Sequence, residues 1–231
     1  MPKVLCDLHI HSALSPCASP EMTPRNIVNM ALLVGAQVIA VTDHNTVRNY
    51  RAVAEAARDR LIVVPGLEVW SREDVHILCL FANIALAESF DRYVFNALPN
   101  RRCDADVFGQ QLLFDAESRV VGWEDKLLLS PTSLSVDEIC LEATRLGGVV
   151  IPAHVDKTYG MAVQLGFVPD HLGVRVVEVS KRGRQPPITR SYPYVVNSDA
   201  HNLSTLAGSS PWELDVALPS LAGVIEALYK Y

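Results

Sequence analysis

Val4-Leu5-Cys6-Asp7-Leu8-His9-Ile10-His11 is an apolar run that closes on two imidazoles at alternate positions. Apolar continuity over strand length points to a strand covered on both faces, and successive strand side chains point to opposite sides. His9 and His11 therefore fall on one side, about 6–7 Å apart along the strand, a spacing at which one metal ion could take both. The bland alternative is a polar tail to a buried strand, each ring hydrogen-bonded to backbone. The rest of the chain decides between them.

Runs of the same kind recur at residues 36–42, 61–69, 75–81, 148–153, 174–180 and 194–198. Most are followed by helix-like segments, the signature of parallel β/α units. Thr23-Pro24 reads as the cap and first residue of a helix running to about Val34, with Gly35 as its stop. Val47, Tyr50, Val53 and Ala57 keep helical spacing across 47–60. Ser135-Val136-Asp137-Glu138 is a capping box for a helix ending at Gly147-Gly148, and 219–229 reads as a closing helix.

Residues 82–132 break the alternation. They hold an amphipathic stretch at 84–98, a polar patch with Asn100-Arg101-Arg102, and a hairpin pattern in which 111–114 and 119–123 flank 115–118. So long a loop without structure of its own is improbable, so the segment reads as an insertion. It leaves the strand carrying His76, so it is expected to rise on the active face and roof the pocket. The expected organisation is one barrel domain over 1–231 with an insertion at about 82–132.

Composition bounds the classes. A chain of 231 residues, 49% hydrophobic and 20% charged, suits one globular core. A net charge of −6 argues against general binding of a nucleic-acid backbone. Cys6, Cys17, Cys79, Cys103 and Cys140 are odd in number, scattered and free of any Cys-x-x-Cys, which fits a reducing cytoplasm. Met1-Pro2-Lys3 shows no signal-peptide pattern, and no apolar run is long enough to cross a membrane.

Chemistry concentrates where the strand-like runs end. The first ends at His9-Ile10-His11, the second at Asp43-His44, the third at Glu68; the fourth contains His76, the fifth ends at His154, and the last at Asp199-Ala200-His201. Six of the seven histidines, with two carboxylates, thus sit at or near strand ends, and in an α/β barrel the carboxyl ends share the active face. His171, in Pro169-Asp170-His171, lies off the pattern and takes a surface role. Imidazole with carboxylate suits zinc, manganese or iron, and this many ligands implies more than one ion.

Asp7-Leu8-His9-Ile10-His11-Ser12, Val41-Thr42-Asp43-His44, Gly66-Leu67-Glu68, Ala153-His154 and Asn197-Ser198-Asp199-Ala200-His201 resemble the four-motif pattern of the PHP (polymerase and histidinol phosphatase) superfamily. The resemblance covers almost the whole chain except the insertion. It implies an α/β fold, a distorted (β/α)7 barrel, with a phosphoesterase centre of two or three divalent ions. One ion would be held by His9, His11, Glu68 and Asp199, and a second by Glu68 as a bridge with His76 and His154. The third would take His44, His201 and one more ligand. Where several members have another histidine, six residues after His11, this chain has Cys17. A thiolate can ligate zinc or iron, so Cys17 could complete that site; the alternative is a packed cysteine, as expected for Cys79 and Cys140. Asp7 and Asp43 adjoin ligands and are candidates to orient imidazoles, although Asp43 could equally cap a turn.

The activity expected is hydrolysis of a small phosphomonoester (a sugar, amino-alcohol or nucleotide phosphate) by a metal-bridging hydroxide held by Glu68, Asp199, His154 and His201. Lys157 and Arg182 are candidate phosphate contacts, with solvated loop charge as the alternative; Lys181, Arg184, Arg48, Arg101 and Arg102 are similar. An exonuclease-like phosphodiesterase is a second reading, against which the charge and the lack of a basic stripe count. A non-catalytic metal-binding regulator is a third, although a structural site closes with four protein ligands. The partner expected is a small anionic phosphate ester in the cytoplasm, with neither membrane nor nucleic acid.

Overall fold

The computed structural model describes residues 1–181 and 183–231. In chain order the elements are β1 (Lys3–Ile10), α1 (Pro24–Leu33), β2 (Val38–Val41), α2 (Tyr50–Ala57), β3 (Ile62–Trp70), β4 (His76–Leu80) and α3 (Ile84–Ala97). Then come α4 (Ala105–Phe108), β5 (Leu112–Phe114), β6 (Val120–Trp123), α5 (Val136–Arg145), β7 (Val149–Pro152) and α6 (Met161–Gln164). The chain ends with β8 (Val177–Glu178), β9 (Tyr194–Val195), α7 (Leu203–Ala207), β10 (Trp212–Asp215) and α8 (Leu221–Tyr229).

A curled mixed sheet runs in the order β10-β1-β2-β3-β4-β7. Along β2 the side chains alternate. Ile39 and Val41 face Ile27, Val28 and Val53 of α1 and α2, while Val38 and Ala40 turn to the other face with Leu8, Val64, Leu78 and Ile151. Burying each such side chain stabilises the fold by about 1.5–3 kcal/mol. β8 and β9 pair in parallel. The Val155 amide donates to the Glu178 carbonyl at 2.8 Å, and beyond β9 the His11 amide donates to the Ala200 carbonyl at 2.9 Å. These links bend the sheet round and bring the end of β1 beside the segments after β7 and β9.

All seven expected runs contain a strand, but they are not a uniform set of parallel β/α units. β4 runs antiparallel to both β3 and β7. Only residues 71–75 join β3 to β4, and a parallel crossover needs about a dozen residues, so a hairpin is forced. β10 lies antiparallel on β1 and was not anticipated. Its residues alternate buried and exposed, as a strand wet on one face must, and so it lacks the continuous apolar run of the others.

The helix signals read largely as expected. The capping box is complete, with the Ser135 hydroxyl accepting from the Glu138 amide and the Glu138 carboxylate from the Ser135 amide. Thr23 caps α1 by its extended backbone alone, without a side-chain hydrogen bond, and Pro24 supplies the first helical φ. Gly35, at φ +82°, takes the left-handed turn that ends this helix. Residues 47–49 precede α2 rather than belonging to it.

The reversal of β4 also moves the insertion. Because β4 is antiparallel, His76 at its start lies on the ligand face and Phe81 leaves from the opposite one; α3 then climbs back beside β3. The β5–β6 hairpin ends up beside the loop after β1. The Leu112 amide donates to the Ala13 carbonyl at 2.9 Å, the Arg25 amide to the Ser118 hydroxyl at 2.9 Å, and a Cβ on Gly109 would lie 2.2 Å from the Pro16 carbonyl. The hairpin props that loop instead of roofing the pocket. Among the described residues no helix is long and apolar enough to cross a membrane.

Candidate metal centre

Six imidazoles meet around the buried carboxylate of Glu68 and the neighbouring one of Asp199. Glu68 Oε1 lies 3.0 Å from His76 Nδ1, 3.1 Å from His154 Nε2 and 3.3 Å from His9 Nε2. Its Oε2 lies 3.0 Å from His44 Nδ1 and 3.3 Å from His11 Nε2. Asp199 Oδ1 is 3.4 Å from His9 Nε2 and 3.6 Å from both His11 Nε2 and His201 Nδ1. The candidate ligands lie in or just past the carboxyl ends of β1, β2, β3, β7 and β9, and His76 opens β4 at the same side, which is why residues so distant in sequence meet.

A purely hydrogen-bonded cluster would pair these atoms. Here His44 Nδ1 and Glu68 Oε2 approach to 3.0 Å without hydrogen-bond geometry and have no partner, and His76 Nε2 and His154 Nδ1 have none either. His9 Nε2 and His11 Nε2 sit 3.1 Å apart. Each buried polar atom left unpaired costs about 1–3 kcal/mol. Divalent cations among these lone pairs would remove that cost, so the donor set fits metal. Among the described residues, three groups have candidate ligand atoms within 4.8 Å of one another: His9, His11 and Asp199; His44, Glu68 and His76; and His11, His44 and His201.

The rings are oriented from behind. His9 Nδ1 faces both Glu178 oxygens, at 3.1 and 3.0 Å, and Glu178 also accepts from the His154 amide at 3.0 Å and from Asn197 Nδ2 at 2.7 Å. A carboxylate there selects the tautomer that leaves His9 Nε2 free to ligate. Asn197 Oδ1 in turn accepts from the Leu8 amide and Trp212 Nε1, both at 2.8 Å, tying β1 and β10 to the same network. His11 Nδ1 lies 2.9 Å from the Ser15 hydroxyl, which donates to Asp43 at 2.7 Å. His154 and Asp199 sit at φ 28° and 50°, a region costly for residues with a Cβ and concentrated at functional sites.

Proton affinities of the metal-free protein follow this crowding. Burial would raise the Glu68 carboxyl, but His76, His9 and His44 override it and hold it well below the usual range. Asp199 is lowered likewise, burial being outweighed by His9 and His11. Burial would lower His44, but Glu68 prevails and lifts it to about 9. For His201 burial, reinforced by His11, wins and lowers it to about 3.

No family model matches the sequence. The chain is 26% identical over 178 residues to the 5'-3' exoribonuclease Rnm of Salmonella typhimurium, an alignment covering 72% of this chain and 57% of that protein. The lesion-specific endonuclease PfuEndoQ from Pyrococcus furiosus superposes with a TM-score of 0.72 at 20% identity, over 99% of this chain and 56% of that one. A protein described as a metal-dependent phosphoesterase from Bifidobacterium adolescentis matches with a TM-score of 0.54 at 19% identity, over 85% of this chain and 87% of that one. This chain has the PHP fold. It spans just over half the length of the exoribonuclease and of the endonuclease.

Within the PHP fold the expected residues fall as follows. His9, His11, His44, Glu68, His76, His154, Asp199 and His201 all converge. His11 stands between two of the three groups, and His44 joins Glu68 and His76 as well as His201. Cys17 is exposed and lies outside the three groups, although its thiol approaches the His44 ring. Lys157 is not a free loop charge: its Nζ is 2.7 Å from Asp199 Oδ2. Arg182 lies outside the described residues. Lys181 and Arg184 are exposed, Arg48 pairs with Glu124 beside the Phe95 ring, and Arg101 sits over Phe108. His171 pairs with Asp137 at the surface, as its loop position suggested.

Asp43 reaches an imidazole only through Ser15. Asp7 reaches none; its Oδ1 accepts from the Ser198 amide at 3.1 Å and the His9 amide at 3.5 Å. Glu178 was missed. Its one sequence signal is an acid set inside Val176-Val177-Glu178-Val179, where strand residues are otherwise apolar.

Proposed function

We propose that this chain is a metal-dependent phosphoesterase whose centre is built on Glu68. The observation that supports it most is the convergence of buried imidazole and carboxylate lone pairs without hydrogen-bond partners, at the floor of a cavity of about 760 Å³ open to one side. His9, His11, Glu68 and Asp199 would hold one ion, Glu68 with His44, His76 and His154 a second, and His11, His44 and His201 a third, the metal being zinc, manganese or iron. Divalent ions there supply Lewis acidity, drawing the pKa of a water toward neutrality and neutralising charge on a phosphoryl oxygen. Glu178 and Ser15 fix the His9 and His11 rings so that no reorganisation is needed when substrate arrives. Lys157, 45% exposed and held at Asp199, would meet a phosphoryl oxygen from the solvent side. Neutral imidazoles outnumber carboxylates at the centre, so an ion-loaded site keeps positive charge and attracts a phosphate dianion despite the net charge of −6.

A small phosphomonoester is the first reading of the substrate, because Lys157 is the one Lys or Arg lining the cavity among the described residues. Cleavage at the end of a nucleic-acid strand is the second. It is favoured by the similarity to an exoribonuclease and an endonuclease, which removes the ground for setting nucleic acid aside.

The test loads chelator-stripped protein with manganese, zinc or iron and offers a panel of phosphomonoesters and end-labelled short oligonucleotides. Hydrolysis should require metal and fall by at least about a hundredfold in Glu68→Gln, the scale of losing a group that organises transition-state charge. Metal-independent turnover, or full turnover in Glu68→Gln, would overturn the reading. Release of inorganic phosphate from monoesters alone selects the first substrate class, and stepwise shortening of the oligonucleotide the second.

A further inference from the structure

The cavity beside the metal centre has a wall that phosphate chemistry does not require. Tyr159 lies flat against His76, with ring centroids 4.8 Å apart and planes 7° apart. Trp70 crosses both, 5.0 Å from Tyr159 at 63° and 5.2 Å from His76 at 67°. Both rings line the cavity and stay partly in solvent, Tyr159 at 38%. Their apolar surface is left partly wet at the edge of a charged centre.

The wall is built, not incidental. Trp70 closes β3, two residues past Glu68, and its Nε1 donates to Asp74 at 3.1 Å within the β3–β4 turn. The Tyr159 carbonyl accepts from the His76 amide at 2.9 Å. A Cβ on Gly160 would come within 2.4 Å of the His154 carbonyl, so the turn that delivers His154 and Lys157 can close only around glycine, and the same turn delivers Tyr159. The aromatic wall therefore begins one ring away from a candidate ligand and is held to it by backbone.

We propose that Trp70 and Tyr159 form a stacking wall for a nucleobase, so that the substrate is a nucleotide whose phosphate meets the centre while its base lies on these rings. The proposal rests on the phosphoesterase reading and adds what selects the substrate. One pentose separates base from phosphate in a nucleotide, which matches a wall one ring beyond His76. Stacking on aromatic side chains is sequence-tolerant and worth about 1–3 kcal/mol per base, roughly five- to 150-fold in affinity. Thr158 and Gln164 on the same rim bring hydroxyl and amide groups of the kind that meet base edges. Lys157, the one Lys or Arg lining the cavity among the described residues, suits one phosphate group better than a run of backbone.

Adenosine monophosphate and ribose phosphate carry the same ester and differ in the base, so their ratio of kcat/KM on the metal-loaded protein isolates the wall. The ratio should exceed about ten in the parent protein. It should fall to within about twofold of unity in Trp70→Leu and Tyr159→Leu, and recover in Trp70→Phe and Tyr159→Phe, which restore a ring. Adenosine monophosphate, and not ribose phosphate, should also quench the tryptophan fluorescence of the metal-loaded protein. Hydrolysis of both phosphates at equal efficiency, or a ratio above ten that the Leu variants leave unchanged, would overturn the wall and keep the phosphoesterase. Quenching by the nucleotide without hydrolysis of any phosphate ester would overturn the phosphoesterase and keep the base site. Absence of both would overturn both. The ratio is internal to each variant, so partial loss of folded protein does not disturb it.

Discussion

Glu178 shows what a single carboxylate contributes behind a metal centre. It is buried, faces His9 Nδ1 with both oxygens and accepts from the His154 backbone and from Asn197, so it positions two candidate ligands and belongs to none of the candidate metal groups itself. Burial would raise its pKa, yet His9 and His154 hold it below the usual carboxylate range, so it keeps its charge near neutrality. Replacing it with glutamine preserves the shape and removes that charge. Glu178→Gln should weaken metal binding by about tenfold or more, the usual penalty for losing such a partner. Titration of the stripped protein with a metal indicator measures this, and an unchanged affinity would leave Glu178 a packing residue only.

The β5–β6 hairpin acts through the loop it supports. Its backbone is stitched to Ala13, and Asn49 bridges it by donating to the Leu112 carbonyl at 3.0 Å and accepting from the Phe114 amide at 3.1 Å. The same Asn49 donates to Ser12 at 2.9 Å, and Ser12 and Ser15 both hold Asp43 behind His11. Replacing 100–123 with a short Gly/Ser linker should therefore lower metal occupancy and thermal stability rather than simply widen the pocket. Metal analysis beside a melting curve checks this; a full complement of ions with an unchanged midpoint would show that the loop stands without its prop. Leu129 alone of residues 82–132 lines the cavity, so a change of substrate preference is not expected from the hairpin itself.

The stability of the stripped fold and its affinity for metal should answer pH in opposite directions. Without metal, His44 rises from 6.5 to about 9 and His9 is raised well above 6.5, in both cases because carboxylates outweigh burial. A raised histidine stabilises the fold fully below its unfolded pKa and loses that contribution as pH climbs through the folded value. His76 and His201 are lowered, chiefly by burial, and so act only below this window. The stripped protein should thus lose stability between pH 6.5 and about 9. Metal must displace those protons, so metal should bind more tightly as pH rises and the loaded protein should keep its stability over the same range. Two melting series, with chelator and with metal, should diverge by more than about 2 °C, which roughly 1 kcal/mol produces in a chain of this length. Parallel curves would mean that the histidine cluster does not hold the ions.

The apolar runs, the capping box at Ser135, the stop at Gly35 and the clustering of histidines at run ends were all legible in the chain, because each rests on local periodicity or on a side chain's own chemistry. So was the set of eight converging candidate ligands: strands sharing one direction bring their carboxyl ends together, and the reversed β4 brings its amino end, with His76, to the same face. The direction of β4 was written in the brevity of 71–75, but its consequence, that the insertion leaves from the far face, is a matter of topology. β10 escaped notice because an edge strand wet on one face carries no continuous apolar run. Partnership was decided only in three dimensions. Which acid stands behind His9, which hydroxyl stands behind His11, and that Trp70 and Tyr159 meet across 89 residues of chain at His76 depend on contacts between segments whose spacing in sequence holds no record of their distance in space.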